Sequence, residues 1–209
     1  MNVTGQPVTF DSGGLALEGC LHLPEHPSSA AVAVCHPHPL YGGDMDDSVV
    51  VALCRALAAA GVAALRFNFR GVGGSQGSHS GGAGEREDAL VALEFLESRG
   101  YGRLALAGYS FGATVALAAA SDPRVRAVAG VSLPVGFARP GPPANAVPVL
   151  LVTGARDDIA PADGVRSFAR QVGERCRVEV IEGADHFWSG HEARLVEVVV
   201  GFLREALEL

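Results

Sequence analysis

Six short apolar runs alternate with longer helical patterns from residue 30 onward, and this alternation restricts the fold more than any other feature. The runs are 30–36 (AAVAVCH), 62–67 (VAALRF), 103–109 (RLALAGY), 126–132 (RAVAGVS), 147–153 (VPVLLVT) and 177–181 (RVEVI). They read as continuous apolar stretches, the pattern of parallel strands covered on both faces. Helical periodicity occupies 46–60, 85–99, 111–121, 162–173 and 189–207, with Gly61 and Gly100 where helix C-terminal glycines belong. Ahead of these, PVTF and LALEGCLHL flank the turn DSGG and predict an antiparallel hairpin on the sheet edge. Strands joined by helices give a parallel sheet with right-handed crossovers. The expected fold is therefore one α/β domain over residues 1–209: a doubly wound, mostly parallel sheet with an N-terminal antiparallel hairpin.

A chain of 209 residues, 48% hydrophobic and 19% charged, is long and apolar enough for such a core. No repeat, long linker or second domain interrupts it, and 133–147 (LPVGFARPGPPANAV) is too proline-rich for a helix and too short for a helical lid. The net charge of −7 argues against nucleic acid as a partner. All 16 basic residues are arginine, which excludes both a Schiff-base lysine and a Walker A phosphate loop. Cys20, Cys35, Cys54 and Cys176 sit singly in apolar contexts and read as buried, reduced and structural. The N-terminus lacks a basic region followed by an apolar one, and the apolar runs are much shorter than the roughly 20 residues of a membrane span. These features lead us to expect a soluble cytoplasmic protein with no membrane partner; they leave its oligomeric state open.

Residues 108–112 read GYSFG, between the apolar strand RLALA and the helical run ATVALAAA. In that strand–turn–helix setting G-x-S-x-G places the serine, Ser110, on a tight turn above the sheet, with a helix N-terminus behind it that favours developing negative charge. A serine nucleophile needs a base and the base an orienting acid, following in the order Asp/Glu then His. GARDDIAP after the fifth of the six runs offers Asp157 or Asp158, and EGADHFW after the last offers His186. Asp185 adjoins His186 and is poorly placed to reach the far side of its ring, so it reads as shaping the loop. His191 reads as solvated, and His22, His26 and His79 as surface residues. Glu85 and Asp88 suit a solvated first helical turn. Arg70 and Ser75 read as bracing the rim of the site. RGVGGSQG departs from G-x-G-x-x-G at Gln76, which argues against a dinucleotide site.

The stretch CHPHPLYGGD (35–44) allows two readings: a metal-holding H-x-H pair, or a loop that binds substrate through its backbone. A metal site at a strand end needs further ligands from other strands. Asp44, Asp46 and Asp47 follow on the same loop, and His186 is already needed as a base. The backbone reading is preferred, and neither metal nor cofactor is expected.

Over essentially its whole length the chain resembles the α/β-hydrolases, most of all the small lidless bacterial serine hydrolases near the dienelactone hydrolase group. HPHPLYGG, FNFRGVGGSQG (67–77) and the G-x-x-D-x-x-x-P pattern of GARDDIAP carry the likeness. The resemblance implies an α/β-hydrolase fold without a lid domain and puts the acid on Asp157, with Asp158 its neighbour. Dienelactone hydrolases proper use cysteine where this chain has Ser110, so their lactone substrate does not carry over. The fold implies an oxyanion hole built from the N–H of Phe111, the residue after the nucleophile, and an N–H of the loop at 35–44. Prolines 37 and 39 have no N–H, which leaves His36, His38 and Leu40. Laid on the related H-G-x-P pattern, HPHP makes His38 the donor, Leu40 the runner-up, and the His38–Pro39 bond cis. Ser110, His186 and Asp157 are thus expected to cleave small carboxylic esters through an acyl-enzyme. The alternatives are a thioesterase, a peptidase, or a hydrolase fold retained for binding. Phe69, Tyr41, Phe137 and Trp188 are candidates for pocket lining.

Overall fold

The strand Ala30–Cys35 is buried along its whole length, and its side chains alternate between two separate cores. Ala31, Ala33 and Cys35 join one cluster, and Ala30, Val32 and Val34 the other. A strand with two dry faces must be apolar at every position, hence the unbroken run in the sequence. In the computed structural model, which describes residues 5–136 and 141–209, this is β3 of a single eight-stranded sheet. The others are β1 (Gln6–Ser12), β2 (Leu15–His22), β4 (Ala63–Phe67), β5 (Arg103–Tyr109), β6 (Val125–Val131), β7 (Val149–Gly154) and β8 (Cys176–Ile181).

The strand order is β1-β2-β4-β3-β5-β6-β7-β8. The hairpin β1–β2 is antiparallel and joins β4 antiparallel, while all pairings from β4 to β8 are parallel. Helices α1 (Ser48–Ala59) and α5 (Glu192–Ala206) pack into the core with Val32 and Val34. Helices α2 (Ala83–Ser98), α3 (Phe111–Ala119) and α4 (Ala162–Val172) pack into the other. From β3 the chain moves outward to β4, then returns across to β5 on β3's opposite side. The crevice above such a reversal is where open α/β sheets bind ligands. The loop after β3 and the turn after β5 meet there.

The sequence pattern places each element to within a few residues. Helix α1 starts at Ser48 rather than 46 because the Asp47 carboxylate accepts the N–H groups of Val49 (2.9 Å) and Val50 (3.4 Å). Helix α5 starts at Glu192, after Gly190 has turned the chain at φ 78°. Gly61 and Gly100 follow α1 and α2 with positive φ, as their positions predict. Cys20, Cys35 and Cys54 are buried free thiols, while Cys176 on the edge strand β8 is only partly covered. No helix among the described residues is long and apolar enough to cross a membrane.

Candidate active site

Ser110 holds φ 55° and ψ −117°, a conformation an L-residue adopts only under constraint. Two close approaches impose it. A Cβ on Gly108 would stand 2.1 Å from the Gly112 oxygen, and one on Gly112 would stand 2.2 Å from the Cys35 oxygen and 2.6 Å from that of His36. The glycines of G-x-S-x-G therefore let α3 dive beneath the serine and press against the end of β3. Neither obstacle is a side chain that can swing away. Gly112→Ala is accordingly expected to destabilise the protein by about 3 kcal/mol or more, an overpacking cost, measured by urea unfolding.

The Ser110 Oγ lies 3.1 Å from His186 Nε2, and His186 Nδ1 lies 2.9 Å and 3.0 Å from the two oxygens of Asp157. The chain brings these residues together by tying two loops at the carboxyl end of the sheet. Ala155 N–H donates to the Ile181 carbonyl and Arg156 N–H to that of Ala184, each at 2.9 Å. A Cβ on Gly154 would meet the Ala184 oxygen at 2.2 Å, so these loops are nearly in backbone contact. Asp157 and His186 are buried. Burial works to raise the Asp157 pKa, but donors from the His186 ring and the Ala160 N–H (2.7 Å) outweigh it and hold the carboxyl below its ordinary value. Asp157 thus stays an anion, so the imidazole proton sits on Nδ1 and Nε2 faces the serine as an acceptor. Asp158 is exposed. Asp185 accepts the N–H groups of Phe187 (2.9 Å) and Trp188 (3.2 Å) and shapes the loop, as expected of it.

Tyr109, the second residue of the motif, adds a support that the pattern did not disclose. Its buried hydroxyl donates to the His186 carbonyl at 2.8 Å, fixing the histidine loop from below.

After β3 the chain makes a 3-10 turn at Pro39–Tyr41. No peptide bond among the described residues is cis, so the His38–Pro39 bond is trans, contrary to the expectation. His38 is extended at φ −65° and ψ 123°, and Pro39 opens the turn, where its fixed φ and missing N–H are tolerated. The His38 Nδ1 accepts the Leu40 N–H at 3.2 Å, which engages the runner-up oxyanion donor. The N–H groups of His38 and Phe111 have no protein partner among the described residues, and their rings pack at 4.8 Å.

Neither histidine of the H-x-H pair is free. His36 is fully buried: Nδ1 lies 2.7 Å from the Pro37 carbonyl, and Nε2 accepts the Phe69 N–H at 3.1 Å. The imidazole therefore braces the loop against the segment after β4, a role that burial directly behind an apolar strand could have signalled. Desolvation pushes its pKa down to about 4. His22, expected at the surface, is also buried; it accepts from Arg66 Nε at 3.0 Å, and burial followed by the nearby Arg66 charge lowers it to about 4. In the unfolded chain both imidazoles take up protons near the ordinary histidine value of 6.5. Below that pH the unfolded state binds more protons, so the contribution of these two histidines to stability is full above it, is lost between about 6.5 and 4, and changes no further below. Urea unfolding is expected to lose about 1.4 kcal/mol per pH unit for each histidine within that window.

Glu85 and Asp88, expected on a solvated turn, are both fully buried. Asp88 accepts from Ser12 Oγ (2.8 Å) and from Arg70 through its N–H (3.0 Å) and guanidinium (2.7 Å), tying β1 and the β4 loop to α2. Ser75 donates to the Asn68 carbonyl at 2.7 Å, which with Arg70 confirms that both residues brace the loop. Phe69 and Trp188 are fully buried packing residues, not pocket lining, whereas Tyr41 is 88% exposed; Phe137 lies outside the described residues.

Residues 32–195 match the family described as an alpha/beta hydrolase domain. The chain belongs to this family. An alpha/beta serine hydrolase homologue from Coxiella burnetii superimposes with a TM-score of 0.87 at 36% identity, covering 97% of this chain and 99% of that one. A serine hydrolase without a lid from Xanthomonas campestris gives 0.85 at 29% identity, over 100% and 95% of the two chains. An uncharacterized protein of Rickettsia prowazekii is 33% identical over 188 residues, with 82% of this chain and 77% of that protein covered. This alpha/beta hydrolase shares the lidless architecture: among the described residues, nothing inserted between β6 and β7 forms a helix or strand.

Proposed function

We propose that the protein is a serine hydrolase that cleaves carboxylic esters through an acyl-enzyme intermediate. The observation that carries this is the continuous chain from Ser110 Oγ to His186 (3.1 Å) to Asp157 (2.9 Å), on a serine held at φ 55°. Ser110 Oγ attacks the carbonyl carbon while His186 Nε2 takes its proton, and the carbonyl π electrons move onto oxygen. That oxyanion is held by the N–H groups of Phe111 and His38, an interaction in which one donor is typically worth about 3 kcal/mol in the transition state. Collapse of the intermediate expels the alcohol, protonated by His186. Water, deprotonated by the same imidazole, then attacks the acyl-serine, releases the acid and returns the proton to Ser110. Asp157 stays ionised throughout and stabilises the imidazolium.

The site is open. Leu40 and Phe187, next to the proposed oxyanion donor and base, are 71% and 65% exposed, forming an apolar rim suited to small or partly exposed acyl groups. A fluorophosphonate probe separates this reading from a fold kept for binding alone. We expect one equivalent to attach at Ser110, located by peptide mass analysis; an unlabelled Ser110 in the folded protein sinks the proposal.

A further inference from the structure

Strand β8 ends the sheet, and among the described residues no strand pairs with its outer edge. Such an edge presents a row of free N–H and C=O groups, which proteins usually blunt with proline, a bulge or lysine. The opposite edge strand, β1, carries Pro7. β8 reads CRVEVI, has no proline, and pairs with β7 in unbroken register from Cys176 to Ile181. The Val149 N–H donates to the Arg175 carbonyl and the Ala155 N–H to the Ile181 carbonyl, each at 2.9 Å, so the odd-numbered residues turn their main-chain groups toward β7. Main-chain groups alternate along a strand, so those of Cys176, Val178 and Val180 face outward. Of these, the Cys176 N–H is already taken by the Gly173 carbonyl at 3.0 Å.

The side chains of this edge are complementary to themselves. Arg177 and Glu179 are exposed and share the face covered by α5, where Arg177 holds Glu205 at 2.6 Å and 2.7 Å. Glu179 makes no ion pair among the described residues. On the other face Cys176 and Val178 are only partly covered, and with Ala169 and Gly173 they line an open groove of about 560 Å³ between α4 and β8. A second β8 laid antiparallel about a two-fold axis can be centred on any residue from 176 to 180, and charge separates the choices. A centre at Arg177 or Glu179 sets like charges directly opposite, and one at Cys176 sets Arg175 against Arg177. A centre at Val180 sets Glu179 against Ile181. Only a centre at Val178 sets Arg177 against Glu179, twice over, as opposite-charge cross-strand neighbours. The same centre suits the main chain. Each Val178 exchanges both hydrogen bonds with its copy, and each Val180 N–H meets a Cys176 carbonyl.

We propose that β8 is a dimer interface, at which two copies of this chain pair antiparallel about a two-fold axis through Val178 and join their sheets into one. The pairing also brings the two partly covered Val178 side chains together beside the α4 grooves. It asks nothing of the serine hydrolase reading, and it directs the two sites, each at the carboxyl end of its own strands, to opposite sides of the dimer. The test is sedimentation velocity over a concentration series for the wild type, Arg177→Glu, Glu179→Arg and an equimolar mixture of the two variants. The wild type is expected to sediment as a dimer of the 21.5 kDa chain. Each variant alone turns both cross-strand pairs into like-charge pairs, and its dimer dissociation constant should rise roughly tenfold or more. The mixture should recover a dimer, because one chain then offers two arginines where the other offers two glutamates. Both positions are exposed, so each variant should keep the wild-type circular dichroism. A wild type that is monomeric at every concentration overturns the proposal. So does a dimer that either variant leaves intact, or a mixture that associates no better than its components.

Discussion

Ser110→Ala is expected to lower kcat for p-nitrophenyl acetate by roughly 10⁵–10⁶-fold while leaving the fold intact. The loss is large because the nucleophile and base act as a unit, so removing either one disables both. What survives would come from the proposed Phe111 and His38 donors and from substrate binding, which still act on water-driven hydrolysis. Stability gives an independent reading of the same position. Alanine keeps the φ of 55° and its strain of about 1–3 kcal/mol, so Ser110→Ala should unfold at the wild-type urea midpoint. Ser110→Gly removes the penalty for positive φ and should be more stable by about 1 kcal/mol, after the extra entropy of an unfolded glycine is subtracted. An inactive variant that is more stable than the parent would show that the turn is held in place for the hydroxyl and against its own conformational preference. Wild-type turnover in Ser110→Ala would remove the mechanism.

The sheet was legible because burial on both faces writes itself as unbroken apolar runs, and the elbow because its glycines are fixed by backbone contact. A Cβ on Gly112 would meet the Cys35 and His36 oxygens at under 3 Å, an obstacle that no other residue type avoids. The meeting of Ser110, His186 and Asp157 was legible for a related reason: each follows a parallel strand, and parallel strands end on the same side.

Charged residues in helical turns were harder to read. Glu85 and Asp88 lie where a helix dipole makes an exposed acid comfortable, and nothing local distinguishes that from burial. The partners of Asp88, Ser12 on β1 and Arg70 after β4, come from distant parts of the chain. His22 was misplaced similarly, since a histidine near a strand end gives no sign that Arg66 from the neighbouring strand will meet it. The trans bond before Pro39 belongs here too. The related H-G-x-P pattern implied a cis bond, but in HPHP the His38 side chain caps its own turn through Leu40.

Asp157→Asn is expected to reduce kcat about 10⁴-fold, and Asp158→Asn to leave it within about twofold. The two carboxylates are neighbours in sequence and opposite in setting. Asp157 is buried with both oxygens within 3.0 Å of His186 Nδ1, while Asp158 is exposed. An asparagine at 157 still accepts the Ile159 and Ala160 N–H groups through its carbonyl, at the 3.0 Å and 2.7 Å now made by Asp157 Oδ1, so the loop should keep its shape. Its amide then faces His186 Nδ1 as a donor, which drives the imidazole proton to Nε2. The histidine would meet Ser110 with a proton where it needs a lone pair, and no counter-charge would await the imidazolium. The defect is thus one of tautomer rather than of folding, and it separates from instability by experiment. The urea midpoint at neutral pH should fall only by the lost hydrogen bond from His186 Nδ1 to the carboxylate, while fluorophosphonate labelling of Ser110 slows by orders of magnitude. Equal labelling rates in wild type and Asp157→Asn, or a large loss in Asp158→Asn, would assign the acid's role elsewhere.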